Sequence, residues 1–130
     1  MRNVKPKKYL GQHFLNDENI ARKIVNSLSL SGYSNVMEIG PGTGVLTKYL
    51  LDLKLDLKLV EIDSESVVFL KTKLGIDPSI ILESDFLKLK LDDVFINKFA
   101  IIGNFPYNIS TQIIFKALEY KNLVPELIGM

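Results

Sequence analysis

The stretch that decides the fold is MEIGPGTGVLT, residues 37–47, in which glycines recur after a short apolar run. Gly40, Gly42 and Gly44 lack side chains, so the backbone there can approach a ligand closely. A helix that begins directly after the glycines would offer its free N–H groups to the same ligand. The stretch therefore predicts a strand, a cofactor-binding loop and a helix, although a plain strand-to-helix turn remains an alternative.

Alternating strands and helices are predicted on both sides of this loop. Apolar runs predict strands at 35–39, 57–62, 80–82 and 99–103. Helical spacing predicts helices at 17–28, about 45–53, 64–74 and 110–120, with Asn16 as the N-cap of the first. This alternation indicates an α/β fold with a doubly wound, mostly parallel sheet, which binds ligands at the carboxyl ends of its strands. The chain ends inside a predicted fifth strand, so we expect a sheet truncated after the fourth.

The composition fits one domain and excludes several classes of site. The 130 residues are 47% hydrophobic, and the absence of cysteine rules out disulfides and thiolate zinc sites. A net charge of +1 gives no global argument for a nucleic-acid partner, although Arg2, Lys5, Lys7 and Lys8 precede the first acidic residue. No apolar stretch approaches the length of a membrane span, and no targeting signal is evident. The default expectation is a cytoplasmic protein.

Acidic residues follow the next two predicted strands. Glu61 lies 21 residues after Gly40, where a carboxylate can accept hydrogen bonds from ribose hydroxyls. Asp85 follows the third strand, where it could accept a hydrogen bond from the amino group of an adenine. A dinucleotide fingerprint would need glycine at Val45, and the spacing is instead E-x-G-x-G-x-G from Glu38. This spacing resembles motif I of S-adenosylmethionine-dependent methyltransferases and makes a nicotinamide dehydrogenase the weakest alternative.

The fourth predicted strand leads into NFPY, residues 104–107. The amide oxygen of Asn104 and a backbone carbonyl, that of Pro106, could accept both hydrogens of an adenine amino group and direct its lone pair outward. Tyr107 offers a flat face on which a base can stack, and Phe105 could help to form the pocket wall. We therefore expect Asn104, Pro106 and Tyr107 to be catalytic and Phe105 and Tyr107 to contact the substrate. The alternative is an ordinary turn.

Five segments together resemble the ribosomal RNA adenine dimethyltransferase family, and most of all its bacterial small-subunit branch, the kasugamycin-sensitivity type. They are YLGQHFLND (9–17), EIGPGTGVLT (38–47), VEID (60–63), SDFL (84–87) and GNFPYNIST (103–111). The resemblance implies a Rossmann-like fold that binds S-adenosylmethionine and dimethylates two adjacent adenines near the 3′ end of 16S rRNA. It assigns cofactor contacts, without any metal, to His13, Leu15, Gly40, Glu61, Asp85 and Asn104, and Gly42 and Gly44 complete the loop. Phe105 departs from the Leu or Ile usual in the family.

The resemblance also implies a domain organisation and partners. Residues 1–16 would be a basic segment that folds over the cofactor site, and residues 17–130 a partial catalytic domain without its later strands and C-terminal helical domain. The expected partner is small-subunit rRNA in a pre-ribosomal particle, and the full-length enzyme is expected to be a monomer away from membranes. Two alternatives remain: a large-subunit rRNA adenine methyltransferase of the macrolide-resistance type, and a non-catalytic module that binds RNA or cofactor during ribosome assembly.

Overall fold

The computed structural model describes residues 17–130, which form a five-stranded parallel sheet with helices on both faces. The strand order is β3-β2-β1-β4-β5, and every neighbouring pair is parallel. The strands are β1 (Asn35–Ile39), β2 (Asp56–Glu61), β3 (Ile81–Glu83), β4 (Phe99–Gly103) and β5 (Glu126–Gly129). The predicted doubly wound sheet is confirmed, and the bounds of β1 and β4 are those that the sequence predicted.

The helices are shorter than their periodic patterns predicted. They are α1 (Glu18–Asn26), α2 (Thr47–Leu51), α3 (Ser64–Thr72), α4 (Leu91–Val94) and α5 (Ser110–Glu119). Asp17 rather than Asn16 caps α1, because its carboxylate accepts the N–H groups of Asn19 and Ile20. Short 3₁₀ helices at Pro78–Ile80 and Phe86–Lys88 flank β3. No helix between Asp17 and Met130 is both long and apolar enough to cross a membrane.

Two apolar clusters hold the helices against the sheet, one on each face. The first packs side chains of α1, α2 and α3 on the strands and includes Ala21, Val25, Leu46, Leu50, Leu59, Leu70 and Ala100. The second packs α4, α5 and the 3₁₀ helix after β3 on the opposite face and includes Met37, Phe86, Leu91, Phe99, Ile101, Phe105 and Ile113. β1 lies between β2 and β4: the chain runs from β1 outward through β2 to β3, and the connection after β3 returns it to the other side of β1 as β4. Such a switch point opens a crevice at the carboxyl ends of the two strands.

The fifth strand forms and is anchored at its start. β5 pairs with β4 from Ala100↔Glu126 to Gly103↔Gly129. The Glu126 carboxylate accepts the N–H of Ser29 at 2.9 Å and the hydroxyl of Tyr33, which fastens the strand to the loop before β1. The described sheet therefore has five strands, not the four to which the expected truncation would limit it.

Candidate cofactor and adenine site

The predicted site residues of the described chain follow four neighbouring strands at one edge of the sheet. Gly40 follows β1, Glu61 ends β2, Asp85 comes shortly after β3, and Asn104 follows β4. The register places these ends side by side, because Ile39 of β1 pairs with Val60 of β2 and with Gly103 of β4. Parallel strands present their carboxyl ends at the same edge, so the expected convergence of the four segments is confirmed.

The glycine loop needs glycine for its backbone conformation. Gly40, Gly42 and Gly44 have φ angles of +67°, +57° and +84°, a region that other residues rarely adopt. A Cβ added to Gly40 would lie 3.8 Å from the carbonyl oxygen of Asn104 and 4.0 Å from Cδ of Pro106. The glycine loop and the NFPY loop therefore face each other across the switch point, with only backbone on the glycine side.

Glu61 holds the middle of the glycine loop. Its carboxylate accepts the N–H of Gly42 at 2.9 Å and the N–H of Asp63 at 3.0 Å, and the residue is 2% exposed. Burial raises the pKa of Glu61, and the two backbone N–H groups oppose that rise. Each carboxylate oxygen can accept a second hydrogen bond, so Glu61 retains the capacity to bind a hydroxyl. In this structure its position fixes the loop to the end of β2.

Glu38 is a buried acid whose place in the sequence indicated only the start of the E-x-G-x-G-x-G spacing. It is 1% exposed, and Oε1 accepts a hydrogen bond of 2.5 Å from the hydroxyl of Thr47, the first residue of α2. Burial, with a smaller effect of the nearby Glu61 carboxylate, raises the pKa of Glu38 to about 8. The bond joins the two ends of the glycine loop. The signal in the sequence was an acid inside an otherwise apolar strand, followed nine residues later by a hydroxyl.

Asp85 stabilises the turn that follows β3. Its Oδ1 accepts the N–H of Leu87 at 3.0 Å and so caps the 3₁₀ helix Phe86–Lys88. The Phe86 ring is 3% exposed and packs in the second apolar cluster. The turn is thus anchored in the core, while the Asp85 carboxylate lies at the edge of the sheet where a ligand would bind.

The NFPY loop connects β4 to α5. Asn104 is partly buried, and its side-chain oxygen is fully buried. The Pro106 carbonyl accepts the N–H of Ile109 at 3.1 Å, which closes the turn into α5 and uses one of its two acceptor positions. Tyr107 is 69% exposed. The exposed Tyr107 and the second acceptor position of the Pro106 carbonyl are compatible with their expected adenine contacts, whereas the Asn104 side-chain oxygen is buried in this structure and would have to become accessible to accept an adenine hydrogen.

Phe105 does not line the pocket. The residue is 3% exposed and belongs to the second apolar cluster. Its ring lies over two glycines, since an added Cβ would come within 3.1 Å of the ring at Gly103 and 2.2 Å at Gly129. The expected contact between Phe105 and a substrate base is corrected accordingly: the ring packs beneath the loop against β4 and β5.

Some expectations concern residues that the structure does not describe. His13, Leu15 and the whole segment 1–16 lie outside the described residues. Between Asp17 and Met130 no group of three or more His, Asp or Glu side chains is placed to hold a metal ion. The described groups suit a nucleoside cofactor: a glycine loop that faces the Asn104 loop through Gly40, a carboxylate at the end of β2 and another after β3.

The sheet, the glycine loop and these acids define a methyltransferase of the Rossmann-like class. A solved 23S rRNA methyltransferase, ErmE, has this fold with a TM-score of 0.73 and 31% identity over 86% of this chain and 45% of its own. A dimethyladenosine transferase from Plasmodium falciparum has the same fold with a TM-score of 0.69 and 30% identity, over 86% of this chain and 40% of its own. The chain belongs to the ribosomal RNA adenine dimethylase family, whose model matches residues 3–128.

Within this family, the chain is similar over its whole length to a curated small-subunit methyltransferase. The ribosomal RNA small subunit methyltransferase A of Flavobacterium johnsoniae is 55% identical over 131 residues, which cover 100% of this chain and 50% of that protein. The chain thus spans about half the length of the curated relatives it matches.

Proposed function

We propose that this chain is the cofactor-binding part of an S-adenosylmethionine-dependent enzyme that dimethylates two adjacent adenines near the 3′ end of 16S rRNA. One observation carries the proposal: the glycine loop and the Asn104 loop meet at the switch point, with the Asn104 carbonyl oxygen 3.8 Å from the Cβ position of Gly40. A cofactor seated on the glycines would end beside the asparagine. The match of the curated small-subunit methyltransferase over the whole chain supports the choice of substrate.

The described residues would divide the cofactor among them. Gly40 and Gly42 would leave room for its backbone contacts, and Gly44, whose missing side chain makes room for Leu74, would keep the loop in shape. Glu61 would accept hydrogen bonds from its ribose, and Asp85 from its adenine amino group. Asn104 would lie next to its reactive end, and His13 and Leu15 would add contacts from segment 1–16, which we propose folds over the site. When bound, S-adenosylmethionine supplies an electrophilic methyl group.

The NFPY loop would prepare the substrate nitrogen. An adenine amino group is a poor nucleophile because its lone pair is delocalised into the ring. If the Asn104 side-chain oxygen and the Pro106 carbonyl accept its two hydrogens, the nitrogen becomes pyramidal and its lone pair points toward the cofactor site. The exposed ring of Tyr107 would stack on the base. The attack needs no metal, and the methylated nitrogen loses its proton without a strong base.

We further propose that the remaining strands and a C-terminal helical domain of the longer protein complete the RNA-binding surface. The supporting observation is that the chain spans about half of its curated relatives. The full-length protein would act in the cytoplasm as a monomer on a pre-ribosomal particle.

The test is transfer of labelled methyl groups by a chimera in which the C-terminal half of the Flavobacterium relative follows Met130. Unmethylated small-subunit particles and 23S rRNA serve as separate substrates. Asn104→Ala should lower transfer at least about a hundredfold because it removes an acceptor used in the transition state. Asn108→Ala, an exposed residue of the same loop, is the matched control and should retain activity.

Each outcome selects one function. Methylation of small-subunit particles that depends on Asn104 supports the proposal. Methylation of 23S rRNA instead would favour the large-subunit activity, for which the similarity to ErmE is the specific observation. A folded chimera that binds the cofactor but methylates neither substrate would indicate a binding module in ribosome assembly.

A further inference from the structure

Lys116 on α5 reaches across to the turn that follows β3. Its Nζ donates to the carbonyl oxygen of Phe86 at 2.5 Å and also to that of Leu89. The same atom lies 5.0 Å from the centre of the Phe86 ring. One side chain of α5 therefore contacts both ends of the 3₁₀ helix that Asp85 caps.

This arrangement is unusual for a lysine. An ammonium group is strongly hydrated and normally remains in water, yet Lys116 is partly buried and uses donors on main-chain carbonyls. Burial lowers its pKa, while the carboxylates of Asp85 and Glu119 act in the opposite direction. The contacts compensate for this desolvation only if the turn stays in place.

In the described chain, Ser84 ties the start of this segment to β2 by donating its N–H to the Glu61 carbonyl at 3.1 Å, but the turn itself has few other polar contacts with the rest of the molecule. Asp85 accepts the N–H of Leu87 within the turn itself, and the Phe86 ring packs in the core. A hydrophobic ring fixes the depth of a segment but constrains its rotation poorly, whereas hydrogen bonds to two carbonyls define an orientation. Rotation of the turn would swing the Asp85 carboxylate along the edge of the sheet.

We infer that Lys116 is a positioning residue that holds the Phe86–Lys88 turn against α5. It thereby orients the Asp85 carboxylate toward the 6-amino group of the cofactor's adenine. This inference rests on the proposed function, which assigns the adenine to Asp85. Lys116 lies on α5, the helix that follows the NFPY loop. It therefore also connects the part of the site that would bind the cofactor's adenine to the helix next to the expected catalytic loop. The residue touches no reacting atom.

The experiment measures calorimetric binding of two ligands to this chain. One is S-adenosylhomocysteine, and the other is its purine riboside analogue, in which hydrogen replaces the 6-amino group. Wild type should prefer the adenine ligand about tenfold or more, as expected for a hydrogen bond to a charged group. Lys116→Met keeps most of the apolar stem and removes the donors, so it should abolish this preference while binding of the analogue changes little.

Two further variants separate positioning from general stability. Lys121→Met removes an exposed lysine just beyond α5 and should keep the wild-type preference. Lys116→Gln retains a neutral donor one bond short of the lysine nitrogen, and it replaces the Met variant if that protein fails to fold. It too should lose the preference for the adenine ligand.

The ratio of the two affinities distinguishes the outcomes. If a folded Lys116 variant loses affinity equally for both ligands, or keeps the wild-type ratio, the positioning role is wrong. If the wild-type chain binds S-adenosylhomocysteine without preferring its 6-amino group, the role of Asp85 fails and the inference fails with it. Failure of the wild-type chain to bind either ligand would overturn the proposed cofactor site as well.

Discussion

Replacement of Glu38 by glutamine should remove a large part of the pH dependence of stability above pH 5. Glu38 is 1% exposed and accepts a hydrogen bond from Thr47, and its pKa is raised to about 8. The side chain is therefore protonated and neutral in the folded protein at pH 7. Glutamine has the same shape, keeps an oxygen for the Thr47 hydroxyl and carries no charge at any pH.

The sign follows from the proton balance. Between pH 4.5 and about 8 the folded state holds a proton on Glu38 that the unfolded chain releases. The stability from this group is complete below pH 4.5 and is lost as the pH rises through 8. At about 1.4 kcal/mol for each tenfold change, the rise from 4.5 corresponds to up to about 5 kcal/mol. Solvent screening does not reduce this figure much, because the group is buried.

Urea unfolding of wild type and Glu38→Gln from pH 5 to pH 8.5 measures the effect. The difference in unfolding free energy between them should shift toward the glutamine variant by about 1 kcal/mol for each pH unit in the middle of this range. Glu83→Gln, which removes an exposed carboxylate at the end of β3, controls for the lost charge. The Glu61 carboxylate, whose pKa is also raised, contributes to both slopes. If the difference in unfolding free energy between wild type and Glu38→Gln stays constant with pH, the conclusion that Glu38 is neutral in the folded protein is wrong.

Two further predictions concern stability. Leu30 has a φ of +54° and is 40% exposed. Leu30→Asn should raise the unfolding free energy by about 0.5 to 1 kcal/mol, because asparagine tolerates this conformation. Leu30→Ala keeps the strain and should give no such gain, and thermal melts of the two variants measure the difference. Phe105→Leu should lower the unfolding free energy by about 1 to 2 kcal/mol, because it leaves a gap over Gly103 and Gly129. The affinity for S-adenosylhomocysteine should stay unchanged. A melting temperature equal to that of wild type would contradict the packing role of the ring.

The sequence predicted the centre of the sheet well because the central strands are buried runs bounded by glycine or polar residues. The bounds of β1 and β4 match the prediction, since each is a short apolar segment of a central strand. The helix ends were predicted less well. Val45 and Leu46 fit the helical period of α2, but the turns of the glycine loop continue to Leu46, and α2 begins only at Thr47. Periodicity records which face is apolar and contains no information on where a preceding loop finishes.

The positions of the candidate site residues were predictable for a different reason from their contacts. Parallel strands bring their carboxyl ends to one edge, so Glu61, Asp85 and Asn104 could be placed together from chain order alone. The direction of a side chain depends on partners distant in sequence. Phe105 turns inward because two glycines leave room for its ring, and one of them, Gly129, lies in β5.

The contacts of Lys116, like those of Phe105, depend on residues distant in the sequence and could not be predicted from it. In the sequence it is a lysine on a helix with an apolar face, for which solvent is the default environment. Only the fold brings it to two carbonyls that lie 30 and 27 residues away in the chain. The strand ends thus determine which groups can meet a cofactor, whereas the buried Glu38 and the partly buried Lys116 determine how firmly those groups are held. A site assembled from loops at four strand ends depends on both, because each loop would otherwise move independently of its neighbours.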